Sequence, residues 1–330
     1  MSGSSITSPQ RNEHAFTIAT VHWEQAAEVL SAVRRRVFVE EQGVAPELEW
    51  DARDAEASHL LARAASDGSP IGAARLLATG QIGRMAVLPQ WRGLGVGAAL
   101  LIEALRVAQV NGFETPWLNA QVQVVPFYAK LGFRPEGAAF DEAGIPHQRM
   151  VLKDPDQAVL FDLRRRRLGL DAGPLRTRDP RVIEAAVEAL ATQATRSLSI
   201  LTPDLEPRLY DREPVLMAIR RLAAELPGRL PVRILLIDAE PVVRRGHRML
   251  ELSRALTSGV QIRAVPESLI EGCDFFLVAD LQGHCLRRHA DPDNALIDFA
   301  GTATARRLLR AFDTIWEQGE IHQELRRLFL

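Results

Sequence analysis

The amino-acid sequence predicts a protein of two α/β domains, and three observations lead to this prediction. The chain has 330 residues, which exceeds the usual length of one domain and lets each half bury its own core. In the first half, a strand pattern runs directly into a glycine-rich turn and a long amphipathic helix. In the second half, helix and strand patterns alternate, which is typical of α/β folds.

The elements of the first half begin at Phe16 and end near Lys153. A strand pattern, FTIATV, is followed by helical spacing of apolar residues in HWEQAAEVLSAVRRRVFVEEQ. After an acidic stretch, the turn DGSP separates two strand candidates, SHLLARAA and IGAARLLAT. The run QIGRMAVLP predicts a strand ended by Pro89, which the glycine-rich turn and helix follow. A strand in WLNAQV, a short helix in PFYAKLGF that ends at Gly132, and a strand in HQRMVL complete a mixed α/β domain over residues 16–153.

The remaining segments are a tail, a connector and a second domain. Residues 1–15 are polar, rich in serine and without the apolar run of a signal peptide, so we expect a disordered tail. Clustered charge, proline and glycine in residues 154–180 predict a linker. Residues 181–330 predict a second α/β domain with a largely parallel sheet and a terminal helix, ATARRLLRAFDTIWEQ. A further helix is predicted in RRGHRMLELSRAL, and the strand candidates are SLSILTP, VRILLID, VQIRAVP, FFLVAD and HCLRRH.

Composition excludes several classes of function. A hydrophobic share of 47% and a charged share of 25% are typical of globular proteins, and a net charge of −2 gives no electrostatic reason to bind nucleic acid or a membrane. Only Cys273 and Cys285 are present, so no disulfide framework or cysteine metal cluster is expected. No apolar stretch is long enough for a membrane span. The arginine run at 164–167 is more typical of a solvated linker than of a phosphate-binding patch. We therefore expect a cytoplasmic protein.

The strongest functional signal is the segment Arg92-Gly93-Leu94-Gly95-Val96-Gly97, between a predicted strand and a predicted helix. At such a junction, backbone N–H groups and the positive helix end point to one place, which is how a chain binds pyrophosphate with few cations. Glycine allows close approach to the backbone, and Arg92 can add a charge-assisted contact. One alternative is a turn that only packs a helix on a sheet. Another is a Rossmann site, which requires G-x-G-x-x-G spacing instead.

These residues also resemble a known family. Arg92-x-x-Gly95-x-Gly97 is similar to the R/Q-x-x-G-x-G/A signature of GNAT acetyltransferases, and FYAKLGF at 127–133 resembles the tyrosine-bearing helix of that family. Three further stretches are similar to its ElaA-type branch, namely VFVEEQ at 37–42, NAQ at 119–121 and GIPHQRM at 144–150. Together the matches cover most of residues 34–150.

The resemblance implies a GNAT fold, a mostly antiparallel sheet flanked by helices, with acetyl-CoA as the acyl donor and no metal. It implies that strand backbone pairs with the pantetheine arm, that the loop holds the pyrophosphate, and that two later side chains complete the cofactor site. These cofactor-binding residues are Met85, Ala86, Val87, Arg92, Gly93, Leu94, Gly95, Val96, Gly97, Ala98, Gln121 and Phe127. Gln121 stands where many relatives carry asparagine.

Acylation of an amine also requires an acid for the departing thiolate, and Tyr128 is the expected one. Tyr128 is one of only two tyrosines, and the resemblance places it near the sulfur of CoA. The alternative is a tyrosine that packs under its helix with its hydroxyl group satisfied.

The attacking amine must lose a proton, and Glu41 is the first candidate for the base. It ends a predicted helix that should border the acceptor cleft, where burial would raise its pKa. Alternatively, it is a solvated glutamate or a partner of Arg34 or Arg36. His59 and His147 are further candidates because histidine titrates near neutrality, although each can instead be structural.

The second half weakly resembles a phospholipase D-like domain. That family's signature is H-x-K-x-x-x-x-D, and the matching window here runs from Cys273 to Asp280. Of the signature, only Asp280 is present, since Cys273 and Phe275 stand at the histidine and lysine positions. His247, His284 and His289 have no recognisable catalytic spacing. We therefore expect binding, regulation or self-association from this domain rather than chemistry.

Taken as a whole, the sequence predicts an N-acyltransferase that acts on an amine of a small molecule or a protein. Its expected partners are acetyl-CoA and the amine acceptor, with self-association through the second domain. One alternative is an enzyme similar to acyl-homoserine-lactone synthases, because RRRVFVEEQ, an acidic stretch and AARLL resemble that group. Another is a CoA-binding sensor without catalysis, against which the presence of Tyr128 argues.

Overall fold

The computed structural model of the protein describes residues 15–171 and 173–319. The chain divides into two compact units, Met1–Asp162 and Leu163–Leu330. The predicted disordered tail, residues 1–15, lies outside the described residues except for its last residue.

The first unit combines strands and helices in the order that the sequence predicts. Its described strands are β1 (Phe16–Val21), β2 (Ser58–Ala64), β3 (Pro70–Leu76), β4 (Ile82–Val87), β5 (Trp117–Gln121), β6 (Phe133–Pro135), β7 (Phe140–Glu142) and β8 (Ile145–Leu152). Its described α-helices are α1 (Trp23–Arg34), α2 (Pro46–Glu49), α3 (Val96–Val110), α4 (Val125–Ala129) and α5 (Pro155–Leu163). Short 3₁₀ turns occupy Pro89–Trp91 and Val122–Val124.

The strands of this unit form two sheets that diverge from one point. Strands β1 to β4 pair antiparallel in chain order, and β8 pairs antiparallel with β5, β6 and β7. Near their starts, β4 and β5 are joined by a parallel bridge between Gln81 and Trp117, where the Trp117 N–H donates to the Gly80 carbonyl over 3.1 Å. Beyond it they are edge strands of separate sheets, so a gap opens between them toward Val87 and Gln121.

Two long helices cover opposite faces of the first sheet. Buried residues of α1 and the turn after it recur at helical spacing, at positions 26, 30, 33 and 37, and pack with Leu61 of β2. The neighbouring β2 residues Leu60 and Ala62 pack in another cluster with Leu100 and Leu101 of α3. Because successive strand residues point to opposite faces, α1 and α3 sandwich the sheet.

The predicted long first helix changes geometry before it ends. After α1, residues Arg35–Glu41 form a π-helical turn. Its C-cap is Gln42, and the chain then enters the acidic stretch that contains α2. Such π-helical insertions are rare and occur frequently at functional sites.

A buried charge cluster fastens this acidic stretch to the sheet. Three guanidinium groups meet three carboxylates in it, those of Arg34, Arg75, Arg84, Glu49, Asp51 and Asp54. Arg34, 1% exposed, donates to Glu49 Oε1 over 2.5 Å and to Asp54 Oδ1 over 2.8 Å. Arg75 donates to both Asp51 oxygens over 2.7 Å and to Asp54 Oδ1 over 2.9 Å. The three positive and three negative formal charges of the cluster therefore cancel in a region that is largely shielded from water.

Two of the three carboxylates of this cluster, those of Asp51 and Asp54, are stabilised in their ionised form, whereas burial raises the pKa of Glu49. Hydrogen bonds from Arg75 hold the pKa of Asp51 well below its usual range. Burial raises the pKa of Asp54, but the hydrogen bonds and charges of Arg34 and Arg75 lower it further, to below its ordinary value. Both groups therefore favour the folded state once they are ionised, and this contribution disappears on acidification.

The second unit is built on one seven-stranded sheet. Its described strands are β9 (Leu175–Thr177), β10 (Leu198–Thr202), β11 (Val232–Leu236), β12 (Val260–Ala264), β13 (Phe275–Ala279), β14 (Gly283–Arg288) and β15 (Asp291–Asp298). Its described α-helices are α6 (Pro180–Gln193), α7 (Pro207–Tyr210), α8 (Glu213–Glu225), α9 (Glu240–Arg245), α10 (Arg248–Ala255) and α11 (Thr302–Gln318), and Glu267–Leu269 is a 3₁₀ turn.

The prediction that this sheet is largely parallel is wrong, because the sheet is mixed. In the order β12-β11-β10-β13-β14-β15-β9, the pairs β10–β11 and β11–β12 are parallel and the other four pairs are antiparallel. Helices connect the parallel strands, whereas β13 and β14 are joined by a tight turn through Asp280 and Leu281. Both turn residues have positive φ, 54° and 62°. Helix and strand alternation alone did not distinguish these connections.

Two other stretches differ from the sequence expectations. The predicted linker, 154–180, contains helix α5 and strand β9, and β9 pairs antiparallel with β15. The helix predicted in RRGHRMLELSRAL is divided into α9 and α10 at Gly246, whose φ is 73°. The domain boundaries themselves stay a prediction.

We predict that Asp54→Asn destabilises the first unit by about 3–5 kcal/mol at pH 7, because it leaves the charges of Arg34 and Arg75 undercompensated in the interior. In the wild type, the stabilisation by Asp51 and Asp54 should be complete above about pH 4, where these carboxylates ionise in the unfolded chain. It should be lost as the pH falls through their lower folded values. Urea unfolding of both proteins at pH 7, and of the wild type from pH 7 down to about pH 2, measures the two effects.

The matched control is Arg53→Ala, since Arg53 also pairs with Asp51, over 2.9 Å, but its side chain is 55% exposed. This change should cost less than about 1 kcal/mol. Equal destabilisation by the two substitutions would contradict the role given to burial.

Candidate functional site

A candidate binding site lies where β4 and β5 separate. The side of β4 that faces away from β3 is an open strand edge. It carries the backbone groups of Met85 and Val87, whereas those of Ala86 face β3. The 3₁₀ turn and the glycine loop follow β4 directly and lead into α3. An extended ligand could therefore pair with the strand edge and continue to the start of the helix.

A bulge shapes this strand edge. Between the pairs Ala73–Ala86 and Arg75–Gly83, the register shifts by one residue, so that β4 has one residue more than β3. Arg84 lies in this extra segment with a φ of 51°, a left-handed conformation that is uncommon for residues other than glycine. Bulges bend a strand and redirect its backbone, often beside functional sites.

The glycine loop presents backbone donors at the start of α3. Gly93 and Gly95 have φ values of 74° and 87°, so both use conformations that glycine adopts without steric cost. Gly95 is the N-cap, and its carbonyl accepts the first helical hydrogen bond, from Ala99 over 3.0 Å. In the first turn, the N–H groups of residues 96–98 have no partner within the helix, and they point to the loop together with the positive helix end.

The predicted loop residues divide between the core and the binding side. Val96 and Ala98 are buried, so only their backbone can reach a ligand. A β-carbon built on Gly97 would lie 3.7 Å from Val87 Cγ2 and 3.8 Å from Phe127 Cζ, which are ordinary contacts. Gly97 thus marks the point where β4, α3 and α4 meet.

Tyr128 lies next to the strand gap. Its side chain is buried and its ring meets Phe127 edge to face, with the ring centres 4.9 Å apart. The hydroxyl group donates to Met85 Sδ over 3.6 Å, a weak hydrogen bond that costs little to exchange. Burial raises the pKa of Tyr128 to about 12. The phenol is protonated at neutral pH, as an unshifted tyrosine also is, and burial makes it a weaker acid than an exposed tyrosine.

Two predicted site residues, Arg92 and Glu41, pair with each other. Arg92 donates from both terminal nitrogens to the Glu41 carboxylate, over 2.6 and 2.7 Å, and from Nε to the Val87 carbonyl over 2.9 Å. Glu41 differs from the buried base expected from the sequence, since its side chain is 38% exposed. The hydrogen bond from Arg92 lowers the pKa of Glu41 instead of raising it. Its catalytic role stays a prediction.

Gln121 ends β5 within a chain of three amides. Its Nε2 donates to Gln42 Oε1 over 3.0 Å, and its Oε1 accepts from Gln123 Nε2 over 3.0 Å. These contacts connect β5 to the end of the π-helical turn that also carries Glu41. This side of the gap is therefore bordered by polar, uncharged groups beside the Arg92–Glu41 pair.

The two candidate histidines occupy different environments. His59 is buried, with Nε2 2.8 Å from the Asp54 carbonyl, and burial lowers its pKa, so it is a neutral part of the framework beside the buried charge cluster. His147 lies opposite Gln121 in the β5–β8 pair, and its Nδ1 is 2.8 Å from the Ile145 carbonyl. His147 is therefore the one of the two that borders the candidate site.

Sequence reasoning missed the side chains of Arg84 and Gln42. An arginine within the otherwise apolar run QIGRMAVLP was an available signal for Arg84, because a charged residue in such a strand requires partners. Gln42 lies in the motif VFVEEQ, yet its contact with Gln121 joins residues 79 positions apart. No local pattern indicates that contact.

In the second unit, the Asp280 carboxylate is engaged in hydrogen bonds that stabilise a turn. Its carboxylate accepts hydrogen bonds over 2.8 to 3.0 Å from the N–H groups of Thr195, Arg196 and Ser197 and from the Thr195 hydroxyl group. It thereby holds the turn that precedes β10. Cys273 donates from Sγ to the Leu269 carbonyl over 2.8 Å, and burial raises the pKa of its thiol. Neither residue is arranged for nucleophilic chemistry.

The three histidines of the second unit are also dispersed. His247 caps α10, since its Nδ1 accepts from the Met249 N–H over 3.0 Å and its Nε2 lies 3.1 Å from the Leu205 carbonyl. His284 is buried, neither of its ring nitrogens has a hydrogen-bond partner among the described residues, and burial lowers its pKa. His289 packs edge to face on Phe275. Among residues 15–171 and 173–319, no group of three or more acidic, histidine or cysteine side chains could hold a metal ion.

The separated strands, glycine loop and buried tyrosine of the first unit are those of an acyltransferase. The family model described as "Acetyltransferase (GNAT) domain" matches residues 24–153. The uncharacterized N-acetyltransferase YjcF of Bacillus subtilis is 40% identical over 125 residues, which cover 36% of this chain and 86% of YjcF. The chain therefore belongs to the GNAT acetyltransferase family, and it is an acyltransferase of that type with a GNAT-like fold in its first part.

Solved structures that resemble the chain cover the same part of it. An acyl-CoA N-acyltransferase from Pseudomonas aeruginosa is 28% identical with a TM-score of 0.38, and the match covers 42% of this chain and all of that one. Escherichia coli ElaA is 26% identical with a TM-score of 0.39, again over 42% of this chain and all of ElaA. Residues 179–328 match a model described as "Domain of unknown function (DUF7931)". The phospholipase D-like resemblance stays a prediction.

No helix among the described residues has both the length and the apolar character needed to cross a membrane.

We predict that Gly97→Val abolishes the stabilisation of the first unit by acetyl-CoA, whereas Gly97→Ala retains most of it. A single β-carbon meets Val87 and Phe127 at ordinary distances, but the two further methyl groups of valine crowd the start of α3. At a ligand concentration of about 100 times Kd, the wild type should gain about 2.7 kcal/mol. Calorimetric melting with and without acetyl-CoA measures the gain. Equal protection of the valine variant would place the cofactor elsewhere.

We predict that Asp280→Ala destabilises the second unit by about 2–3 kcal/mol, because three backbone N–H groups lose a charged acceptor. Asp280→Asn should cost less, since asparagine tolerates the positive φ and keeps one acceptor oxygen. Denaturant unfolding measures both. Neither variant nor the wild type should hydrolyse bis(p-nitrophenyl) phosphate, and unchanged stability of the alanine variant would contradict a structural role.

Proposed function

We propose that this GNAT-type enzyme transfers an acetyl group from acetyl-CoA to an amine of a small molecule or a protein, with the reaction in the gap between β4 and β5. The observation that carries the proposal is the meeting of an open strand edge, a glycine loop at a helix start and a buried phenol at one gap. These three features correspond to the three parts of the reaction, which are the cofactor arm, its pyrophosphate and the leaving thiolate.

The cofactor would bind mainly through backbone groups. The pantetheine arm carries amides, and the open edge of β4 offers matching backbone groups at Met85 and Val87, with Ala86 between them paired to β3. The pyrophosphate would bind at the N–H groups of residues 93–98 and the positive end of α3. The left-handed conformations of Gly93 and Gly95 support this, because they turn the loop backbone without placing side chains in the path of the phosphates.

Tyr128 would serve as the general acid. The amine nitrogen attacks the thioester carbonyl carbon, and the resulting tetrahedral intermediate collapses when its carbon–sulfur bond breaks. The electron pair goes to sulfur, and the Tyr128 hydroxyl group supplies the proton that yields free CoA. Its position beside the gap and the weak hydrogen bond of its hydroxyl group to Met85 Sδ, which a thiolate can replace, support this role.

Glu41 and Arg92 would act as a pair in cofactor binding. A carboxylate with a lowered pKa is a weak proton acceptor at neutral pH, which argues against Glu41 as the base. Its two short hydrogen bonds instead orient the Arg92 guanidinium beside the glycine loop, where the remaining N–H groups can face a phosphate. The acceptor amine would lose its proton to water near His147 and Gln121, on the open side of the gap.

The second unit would bind a ligand, regulate the enzyme or mediate self-association. The structural contacts of Asp280 and the raised pKa of Cys273 support this reading over phosphodiester chemistry. Its wide mixed sheet is large enough for an independent domain.

The test of the proposed function is Tyr128→Phe. The substitution should lower kcat by about a hundredfold or more, since the thiolate then leaves without a proton donor. The affinity for acetyl-CoA should change by less than about twofold, because the hydroxyl group acts in the transition state and not in the ground state. Thiol release from acetyl-CoA across a panel of amines gives the rate, and calorimetric titration gives the affinity.

The matched control is Tyr210→Phe, because Tyr210 is the other tyrosine of the chain and is also buried, but in the second unit. It should leave both quantities unchanged. A wild-type rate for Tyr128→Phe, with chemistry shown to be rate-limiting, would return Tyr128 to a packing role.

A further inference from the structure

Arg84 occupies a backbone position that its own residue type disfavours. It lies in the β4 bulge with a φ of 51°, where a residue with a β-carbon is strained and glycine is not. The neighbouring position, Gly83, is a glycine without positive φ. The strained backbone conformation is therefore adopted by Arg84 and not by the adjacent glycine. We infer from this that the Arg84 side chain is required at this position.

The Arg84 side chain fixes the bulge to the acidic stretch. It donates from Nη2 to the Leu48 and Glu49 carbonyls over 3.1 Å each and to Asp51 Oδ2 over 3.3 Å. Its Nε lies 3.1 Å from Glu49 Oε2. Glu49 and Asp51 are themselves held by Arg34 and Arg75, so Arg84 is anchored to the buried charge cluster.

The residue after Arg84 reaches the other side of the sheet. Met85 packs with the cluster that contains α3 and receives the Tyr128 hydroxyl hydrogen bond at Sδ. Its backbone is also the first part of the open strand edge. A rotation of the β4 bulge would therefore move the open strand edge and the Met85 sulfur atom together.

We propose that Arg84 is a positioning residue, which holds the β4 bulge so that Met85 aligns the Tyr128 hydroxyl group and the strand edge for the thioester. The proposal rests on the proposed function of Tyr128 and of the strand edge. It assigns the buried charge cluster a role in the reaction through a single side chain, in addition to its role in stability. The side-chain hydrogen bonds of Arg84 go to Leu48, Glu49 and Asp51 of the acidic stretch, so in this proposal its effect on the reaction passes through Met85.

The test is Arg84→Gly in the full chain. Glycine permits the left-handed conformation, so the bulge can persist without its anchor. We expect weaker acetyl-CoA binding and a lower kcat, each by about tenfold or more, because small misplacements of reacting groups have large effects on rate. Arg84→Lys should restore part of both, since an ammonium group can still reach a carboxylate. Calorimetric titration with acetyl-CoA and thiol release measure the two quantities.

A double variant identifies the route of the effect. If Arg84 acts on kcat through the Tyr128 hydroxyl group, then adding Arg84→Gly to Tyr128→Phe should lower kcat by less than about twofold further. If Arg84→Gly lowers kcat by the same factor in the wild type and in the Tyr128→Phe variant, the proposal is overturned. Unchanged affinity and kcat in a folded Arg84→Gly protein would overturn it as well.

Two further variants serve as a control and as a substitute for Arg84→Gly. Arg106→Ala removes an exposed arginine of α3 that pairs with Glu103, and it should change neither quantity. If Arg84→Gly does not fold, Asp51→Asn weakens the anchor while the carbonyl contacts of Arg84 remain, and it should shift both quantities in the same direction by a smaller factor. A folded Asp51→Asn protein with wild-type values would overturn the proposal.

The failure of this proposal is distinguishable from failure of the proposed function. If Tyr128→Phe lowers kcat and Arg84→Gly does not, only the positioning role is wrong. If Tyr128→Phe leaves kcat unchanged, the acid assignment is wrong, and the affinity for acetyl-CoA still tests whether Arg84 sets the strand edge.

Discussion

The arrangement of the first unit depends on one interaction, the pairing of the buried Arg34 guanidinium group with carboxylates. Arg34 is almost fully enclosed at the end of α1, where an unpaired charge would be very costly. Glu49 and Asp54 satisfy it, and to do so the acidic stretch must lie against the sheet. Through Arg75 and Arg84 the same network reaches β3 and β4. Helix, acidic stretch and sheet are thus held in one relative position by charge pairing, in addition to apolar packing.

The candidate site follows from this arrangement and separates two kinds of recognition. One side of the gap, along the edge of β4 and at the start of α3, presents mainly backbone groups, so it depends on conformation more than on side-chain identity. The other side carries the amides of Gln42 and Gln121 together with His147, so it depends on side chains. In the proposed reaction, the first side would bind acetyl-CoA and the second side would bind the acceptor amine.

The sequence predicted what is local and missed what is brought together by folding. The glycine loop lies in a short contiguous motif between a predicted strand and a predicted helix, and Tyr128 lies in one that resembles the tyrosine-bearing helix of GNAT acetyltransferases. The Arg92–Glu41 pair joins residues 51 positions apart, and it reversed the expected direction of the Glu41 pKa. In the second unit, strands β10 to β14 were predicted from hydrophobic runs. Their directions were not, because the left-handed turn at Asp280 and Leu281 lacks the glycine that usually marks a tight hairpin.

The balance of three arginines against three carboxylates also constrains how this protein can evolve. A change in any one of them leaves an uncompensated charge among the remaining five, so a protein with a single such substitution is destabilised. Compensation requires a second change at a distant position in the chain, such as residue 34 with residue 54 or residue 75 with residue 51. We therefore expect these positions to vary in concert among homologues, while residues on the acceptor side of the gap diversify independently.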